Sequence, residues 1–326
     1  ELSSQLQSNT RDLLHSLLAH YEKSGGVKSH PTIGIVARPH DSQIAELLWL
    51  KRKWREAGYD TLITTPDQIQ IEKAGLCAVG RSLDVIYRHI FANKLDRTSA
   101  FAEACLNSIE FRVFNPINAH LEAKTVLAKL SELATRGTLS RSAKLTPSER
   151  DAVMRRVPWS RLIMDGPSTN IDGQSVRDFP SWLKRNRDEL VVKSNLGYGG
   201  KSIFIGDQFT NQSSQIRARP LLGSNSDVSW NDFIEYCARS QNGSWIVQRK
   251  INGRKIRNNY LENGELKDEE TFIDCSIFTN SGIDFQPQGG ACRFAPSIIV
   301  NIGQGGGLIP ILLQSELKAI EAARRN

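Results

Sequence analysis

A lysine followed by a glycine-rich stretch is the part of the sequence best suited to chemistry. Lys193 stands in the apolar run LVVKS, and Gly197, Gly199 and Gly200 follow it before a second apolar run, KSIFIG, which opens with Lys201. Glycine lets the backbone approach a ligand closely and aim its N–H groups at phosphate oxygens, while a lysine adds a compact positive charge. The pattern therefore indicates a phosphate-binding loop between two strands.

This loop differs from the phosphate loop that opens a helix in many nucleotide triphosphatases. Gly200-Lys201-Ser202 has the right ending, but the leading glycine would stand at position 195, which is Asn195. The residues after Ser202 are typical of a strand, whereas that loop uses the N-terminus of a helix. A glycine-rich hairpin without a ligand is the alternative, and the loop alone does not decide between them.

Further polar residues would complete a nucleotide site if the fold brought them together. They are Lys124, Gln248, Lys250, Asp274, Arg293 and Asn301. Gln248 and Lys250 end the apolar run SWIVQRKI, where a hinge could hydrogen-bond an adenine edge. Asp274 and Asn301 carry the hard oxygen ligands that Mg²⁺ prefers when it bridges phosphates. Each residue alone also fits an ordinary role, such as a surface charge or a turn cap.

Hydrophobic periodicity predicts the elements that must position these residues. In the first third, strands alternate with helices, which is typical of a parallel α/β sheet. The predicted elements there are a helix in 1–24, a strand at 31–37, a helix at 42–57, strands at 59–65 and 83–90, a helix at 96–108 and a strand at 111–115. The end of the strand at 83–90 also carries Arg88, a candidate substrate-binding residue.

The remainder reads as a mixture of helices and antiparallel strands. Predicted helices are 118–135, which carries Lys124, 179–189, 230–240 and 314–325, with strands at 190–194, 201–206 and 244–251. The polar segment 135–151 is typical of a loop, and the polar segment 207–228, rich in Ser, Asn and Gln, is expected to be mobile. From residue 255 onward, strands flank a turn at Glu262-Asn263-Gly264, which predicts an antiparallel sheet.

Taken in order, these segments resemble the ATP-grasp superfamily of carboxylate–amine ligases. The resemblance is closest to its circularly permuted branch, which includes glutathionylspermidine-synthetase-like proteins and related peptide ligases. It runs from about residue 30 to 313, and its specific part is the joint order of the motifs. The matching segments are LDVIYRHI, NPINAHLEAKTVLAKL with the first ATP lysine, LVVKSNLGYGGKSIFIG with the second, the hinge WIVQRKI, and the closing segments QGGACRFAP and VNIGQGGG.

The resemblance implies a fold, a reaction and a set of roles. The fold would be α/β and α+β, a Rossmann-like module followed by a two-lobed ATP-grasp fold. Its domains would be an N-terminal helix (1–24), a Rossmann-like domain (25–117), a lobe with the glycine-rich loop (118–247) and an antiparallel lobe (248–326). The reaction would be ATP-dependent amide formation through an acyl phosphate, with ATP and Mg²⁺ as cofactors. The substrates would be a small-molecule or peptide carboxylate and an amine.

The site residues follow from the same resemblance. Lys124 and Lys193 would bind the phosphates, and Arg293 would stabilise the transferring phosphoryl group. The remaining nucleotide contacts would come from Gly197, Gly199, Gly200, Lys201, Gln248 and Lys250, and the Mg²⁺ ligands would be Asp274 and Asn301.

Three positions depart from the family pattern. Arg249 stands where the hinge commonly has Glu, and Ser194 where a Pro often follows the strand lysine. Ile299 stands where a Glu-x-Asn pair would place its carboxylate. Either an upstream segment supplies the metal ligands, as in the permuted branch, or the metal site has degenerated. The second reading favours a non-catalytic nucleotide-binding subunit as the alternative function.

The composition of the chain limits the classes of protein to which it can belong. The chain has 326 residues, a net charge of +7, 39 % hydrophobic and 24 % charged residues. These values predict two or three globular domains and exclude a disordered chain, a collagen or a disulfide miniprotein. No apolar run is long enough to span a membrane. The five scattered cysteines form no CxxC and indicate mostly buried thiols in a reducing cytoplasm. The basic residues lack interleaved aromatic residues or a nucleic-acid motif, so a nucleic-acid partner is not favoured.

Overall fold

The computed structural model describes residues 9–73, 75–117, 122–136, 144–240, 244–262, 264–279, 287–309, 318 and 322. It is a mixed α/β structure with one parallel sheet and several antiparallel sheets. The chain divides into two compact units. The first unit comprises Glu1–His120, Cys275–Cys292 and Leu308–Asn326, and the second comprises Leu121–Asp274 and Arg293–Gly307.

The described helices and strands have the following bounds. The α-helices are α1 (Asn9–Lys23), α2 (Ile44–Glu56), α3 (Ala100–Leu106), α4 (Thr125–Arg136), α5 (Pro147–Arg156), α6 (Phe179–Arg185), α7 (Gln212–Leu222) and α8 (Trp230–Arg239). The strands are β1 (Ile33–Val36), β2 (Thr61–Thr64), β3 (Ile69–Glu72), β4 (Gly75–Ala78), β5 (Arg81–Leu83), β6 (Val85–Arg88), β7 (Val113–Phe114), β8 (Ser160–Leu162), β9 (Ser168–Thr169), β10 (Ser175–Val176), β11 (Leu190–Ser194), β12 (Ile203–Ile205), β13 (Trp245–Arg249), β14 (Lys255–Glu262), β15 (Glu265–Thr279), β16 (Pro287–Ala295) and β17 (Gly307–Ile309).

The first unit is built on a parallel sheet in the order β2-β1-β6-β7, as the alternating pattern predicts. All four residues of β1 are buried, because helices cover both faces of the sheet. Leu17 and Trp54, from α1 and α2, pack on one face, and Phe101, from α3, packs on the other. A small antiparallel sheet, β3-β4-β5, adjoins the second of these cores.

The second unit contains an antiparallel sheet in the order β12-β11-β13-β8. Its strands alternate between two faces. On one face, Val192, Phe204 and Val247 are fully buried against α6 and α8. An aromatic cluster fills this core, with ring centroids 4.5 Å apart for Phe204 and Phe233. The opposite face therefore carries the alternate residues, among them Lys193.

A further sheet has the order β14-β15-β16-β17, and its strands β14 and β15 are antiparallel. Strands β14 and β15 pair from Lys255 opposite Phe272 to Glu262 opposite Glu265, around the predicted turn. The predicted antiparallel character of this part of the chain is confirmed. Of the predicted helix 314–325, the structure describes only positions 318 and 322, both helical.

Two polar segments, one predicted as a loop and one as mobile, contain helices. Helix α5 begins at Pro147 inside the polar segment 135–151, and a capping box joins Thr146 and Glu149 at its start. Helix α7 occupies the middle of 207–228, which was expected to be mobile. Its polar Gln215 is buried and donates to the carbonyls of Phe209 and Val228. Both helices were missed because their polar residues, which form caps and buried hydrogen bonds, do not show the apolar periodicity of a helix.

None of the helices in the described ranges is both long and apolar enough to cross a membrane.

Candidate functional site

One cavity in the second unit collects most of the residues that the sequence singles out. Its volume is about 460 Å³. One wall is the face of β11, β12 and β13 that lies opposite the aromatic core, and the other is formed by β15 and residues 298–301. The predicted site residues that line it are Lys193, Gly200, Gln248, Lys250, Asp274 and Asn301.

Strand alternation explains why this cavity is half apolar and half charged. Val191 and Lys193 share a face of β11, while Ile203 and Ile205 share the same face of β12. Phe272, from β15, faces the same space. Apolar walls next to a lysine are suited to a ligand that has a flat apolar part and an anionic part.

Lys193 is held by the strand beside it. Its ammonium group donates to Oε1 of Gln248 at 2.5 Å, and Nε2 of Gln248 donates to Oγ of Ser160 at 3.1 Å. Gln248 is only 8 % exposed, so this chain of hydrogen bonds fixes the position of the lysine head. Burial lowers the pKa of Lys193, and the positive charge of Lys124 lowers it further.

Lys124 lies at the glycine-rich loop. It directly precedes α4 instead of standing inside the predicted helix. Its ammonium group donates to the carbonyl oxygen of Gly197 and, at 3.5 Å, to that of Asn195. Burial lowers the pKa of Lys124. The side chain does not line the cavity, but its charge is close enough to act on Lys193.

Neither lysine contacts a carboxylate among the residues that the structure describes. Two ammonium groups that repel each other and are partly removed from water raise the free energy of the ligand-free protein. A bound anion would relieve this cost.

The loop itself is a tight connection between two antiparallel strands. The N–H of Ser194 donates to the carbonyl of Ser202 at 3.0 Å, which closes the hairpin. Gly199 and Gly200 have φ values of 65° and 76°, a region that glycine adopts most readily. Lys201 is exposed and lies outside the cavity lining. The predicted phosphate-binding loop is therefore the turn of a β-hairpin.

Asp274 and Arg293 form an ion pair on neighbouring strands. Nε of Arg293 donates to Oδ2 of Asp274 at 3.0 Å, and Nη2 donates to the same oxygen. The two side chains are 39 % and 34 % exposed. Asn301 caps the following turn, because its Oδ1 accepts from the N–H of Gly303 at 2.9 Å.

The arrangement of oxygens limits what cation the site can hold. Oδ1 of Asp274 accepts no hydrogen bond from any residue that the structure describes, and Asn301 lines the same cavity. The described residues contain no cluster of three His, Cys, Asp or Glu side chains. Mg²⁺ often uses one carboxylate together with phosphate oxygens and water. This donor set fits Mg²⁺ that arrives with a phosphate ligand.

Three residues that position the site were missed by the sequence analysis. Asn195 accepts from the N–H of Thr125 through Oδ1 at 2.8 Å, so it joins the loop to the start of α4. Ser160 orients Gln248, and Asp207 accepts from Lys250 at 2.5 Å. These contacts join residues 43 to 88 positions apart in the sequence. No local pattern reports them.

Arg88 is not available to a substrate. The residue is 4 % exposed, and its guanidinium donates to the backbone carbonyls of Ile90, Asn115 and Pro116. These bonds hold the chain that follows β6 and β7, so Arg88 is a structural residue of the first unit. The expectation that it presents a charge to a ligand was wrong, because a charged residue at a strand end can be satisfied by carbonyl oxygens.

Comparison with known proteins yields structural likeness only. No protein-family model and no curated protein sequence matches the chain. A glutathione synthetase-like effector from Globodera pallida is 10 % identical with a TM-score of 0.45, over 87 % of this chain and 59 % of that chain. D-alanyl-alanine synthetase A from Vibrio cholerae is 10 % identical with a TM-score of 0.34, over 92 % of this chain and 80 % of that chain. With such TM-scores, neither likeness bears on what this chain does.

Proposed function

We propose that this protein is an ATP-dependent carboxylate–amine ligase that binds the nucleotide in the cavity of the second unit. The observation that carries the proposal is the pairing of Lys193 with Lys124. Burial and mutual repulsion lower the pKa of Lys193, and among the described residues no carboxylate balances either charge. A triphosphate supplies the missing negative charge.

The cavity supports a specific placement of the nucleotide. Apolar side chains of β11 and β12, together with Phe272, suit the flat faces of adenine. Gln248 and Lys250, at the end of β13, would contact its edge. The N–H groups of Gly197, Gly199 and Gly200 would meet phosphate oxygens, and Lys201 would extend this contact.

The chemistry needs no nucleophile from the protein. A substrate carboxylate attacks the γ-phosphorus of ATP, which gives an acyl phosphate and ADP, and an amine then displaces phosphate to form the amide. The protein contributes positioning and charge neutralisation. Lys124 and Lys193 would hold the α- and β-phosphates, and Arg293 would stabilise the transferring phosphoryl group. The glycine-rich loop would exclude water from the acyl phosphate.

Mg²⁺ would be held by Oδ1 of Asp274 and the side-chain oxygen of Asn301, and it would neutralise phosphate charge. Arg293 grips Oδ2 of Asp274 and therefore leaves Oδ1 turned to other partners. Within this proposal, the boundary at 117/118 separates a Rossmann-like module from the nucleotide-binding part of the chain. The boundary at 247/248 separates the two lobes of that part.

Nucleotide binding without ligation is the second candidate function. Two observations favour it. Ile299 stands where the ATP-grasp pattern has a carboxylate, and Asp274, the one carboxylate among the described residues that line the cavity, is already paired with Arg293. Such a protein would bind ATP in the same cavity and would release no phosphate.

The deciding experiment measures ATP binding and phosphate release in the same samples. The full chain is titrated with ATP and Mg²⁺ by calorimetry and then incubated with pooled amino acids, short peptides and polyamines. Phosphate release that requires both a carboxylate and an amine, with an amide product in the mass spectrum, is the expected result. Binding without release would leave only the second candidate, and absence of ATP binding would refute both.

A further inference from the structure

Two cysteines on neighbouring strands bring their sulfur atoms together. Cys275 lies in β15 and Cys292 in β16, and their Sγ atoms are 3.1 Å apart. Cys275 is exposed, whereas Cys292 is 7 % exposed. One member of the pair is therefore open to a reagent in solution, and its neighbour is in position to respond.

The register of the two strands keeps this contact in place. Asp274 contacts Arg293, and the next residue, Cys275, contacts Cys292. The residue numbers therefore rise along β15 while they fall along β16. This is the register of antiparallel strands, in which directly opposite side chains lie close enough to interact. Successive side chains alternate between faces, so the thiols and the ion pair lie on opposite faces of the sheet.

The other cysteines are in a different situation. Cys105 and Cys237 are each 1 % exposed, and burial raises the pKa of Cys237. Cys77 is also buried, and its thiol donates to Oε1 of Glu72 at 3.0 Å. Buried thiols held in this way react slowly with reagents in solution. These three residues are therefore internal controls for any reaction at the pair.

We propose that Cys275 and Cys292 form an oxidisable dithiol that closes to an intramolecular disulfide by exchange with a low-molecular-weight disulfide such as oxidised glutathione. The thiolate of Cys275 attacks one glutathione sulfur and releases the first reduced glutathione. The thiolate of Cys292 then attacks Sγ of Cys275 and releases the second. Two protein thiols and one glutathione disulfide give one protein disulfide and two glutathione thiols.

Closing this bond would link β15 to β16 one residue from Asp274 and Arg293. The link would restrict local opening of the two strands, which hydrogen exchange measures. Because this inference stands on the thiol contact and the register alone, it holds whether or not the protein binds a nucleotide.

The test uses the full chain at low concentration in buffers with increasing ratios of oxidised to reduced glutathione. Remaining thiols are blocked with iodoacetamide, and unreduced peptides are analysed by mass spectrometry. We expect a linked peptide pair containing Cys275 and Cys292. Cys77, Cys105 and Cys237 should carry neither glutathione nor a disulfide bond. Hydrogen exchange of the backbone amides of β15 should slow by at least about tenfold in the oxidised protein.

Single variants separate the two steps. C292S should stop at a mixed disulfide between Cys275 and glutathione, because the second thiol is missing. C275S should take up little glutathione, because Cys292 is buried. The proposal is overturned if both cysteines of the unmodified chain remain alkylated at every ratio, if either pairs with a different cysteine, or if the disulfide links two molecules on a non-reducing gel.

Discussion

Replacing Lys193 by Met tests whether this residue binds a ligand or stabilises the fold. Methionine retains an unbranched stem and removes the charge. A charge-assisted hydrogen bond contributes roughly 1.5–3 kcal/mol, and each 1.4 kcal/mol is about tenfold in Kd. Mg-ATP should therefore bind the variant about 10- to 150-fold more weakly in calorimetry.

The ligand-free variant should be at least as stable as the unmodified protein. Burial and Lys124 lower the pKa of Lys193, so the folded protein holds this proton less tightly than the unfolded chain does. The free energy of unfolding then rises with pH between the lowered pKa and about 10.4, the value of an unperturbed lysine. Urea unfolding of the variant should show a smaller rise over this alkaline range. Gln248 keeps its hydrogen bond to Ser160 in the variant.

Lys129 provides the matched control. It lies on α4, is exposed and forms only a 3.4 Å ion pair with Glu132. Lys129→Met should leave both ATP affinity and the pH dependence of unfolding unchanged. Equal ATP affinities for the Lys193 and Lys129 variants would refute the reasoning, and so would a large loss of stability in the Lys193 variant alone.

Three further results follow from the structure. Mg-ATP binding should take up protons in the alkaline range just below the ordinary lysine pKa, because phosphates raise the lowered pKa of Lys193 and Lys124 again. Calorimetry in buffers of different ionisation enthalpy would show this uptake, and proton release would contradict it. Gly206→Ala should lower the free energy of unfolding by more than about 2 kcal/mol, because its Cβ would lie 1.8 Å from a backbone oxygen. Gly223→Ala, with φ +62° and open space, should cost only about 1 kcal/mol; equal losses in urea unfolding would count against this packing. Asn195→Ala should cost about 1 kcal/mol, as the loss of a helix cap does, and should weaken ATP binding; unchanged affinity would mean that the loop needs no tether.

The strands that form the cavity could be predicted from the local pattern of apolar and polar residues. Alternation in LVVKS places Lys193 opposite the buried Val192, and the structure has that arrangement. The apolar run at Ile33–Val36 likewise predicts a strand covered on both faces. The alternation of side chains along a strand, and the face of the strand that is buried, can be predicted because the pattern involves residues within a few positions of one another.

The contacts that complete the site could not be predicted in this way. The ion pair of Asp274 with Arg293 depends on the register of two strands, and the tether from Asn195 to α4 depends on how two distant segments pack. Helix α7 was missed because Gln215 satisfies carbonyl groups inside the fold, which composition reports only as polarity. Whether the residues chosen for the site bind a nucleotide stays a prediction.

The proposed function requires that one triphosphate contacts both Lys124 and Lys193. A crystal structure of the full chain with Mg²⁺ and a non-hydrolysable ATP analogue tests it directly. We expect phosphate oxygens within hydrogen-bond distance of both ammonium groups, and adenine against the walls formed by β11 and β12. An analogue bound elsewhere, with Lys193 still held by Gln248 and remote from any phosphate, would contradict it.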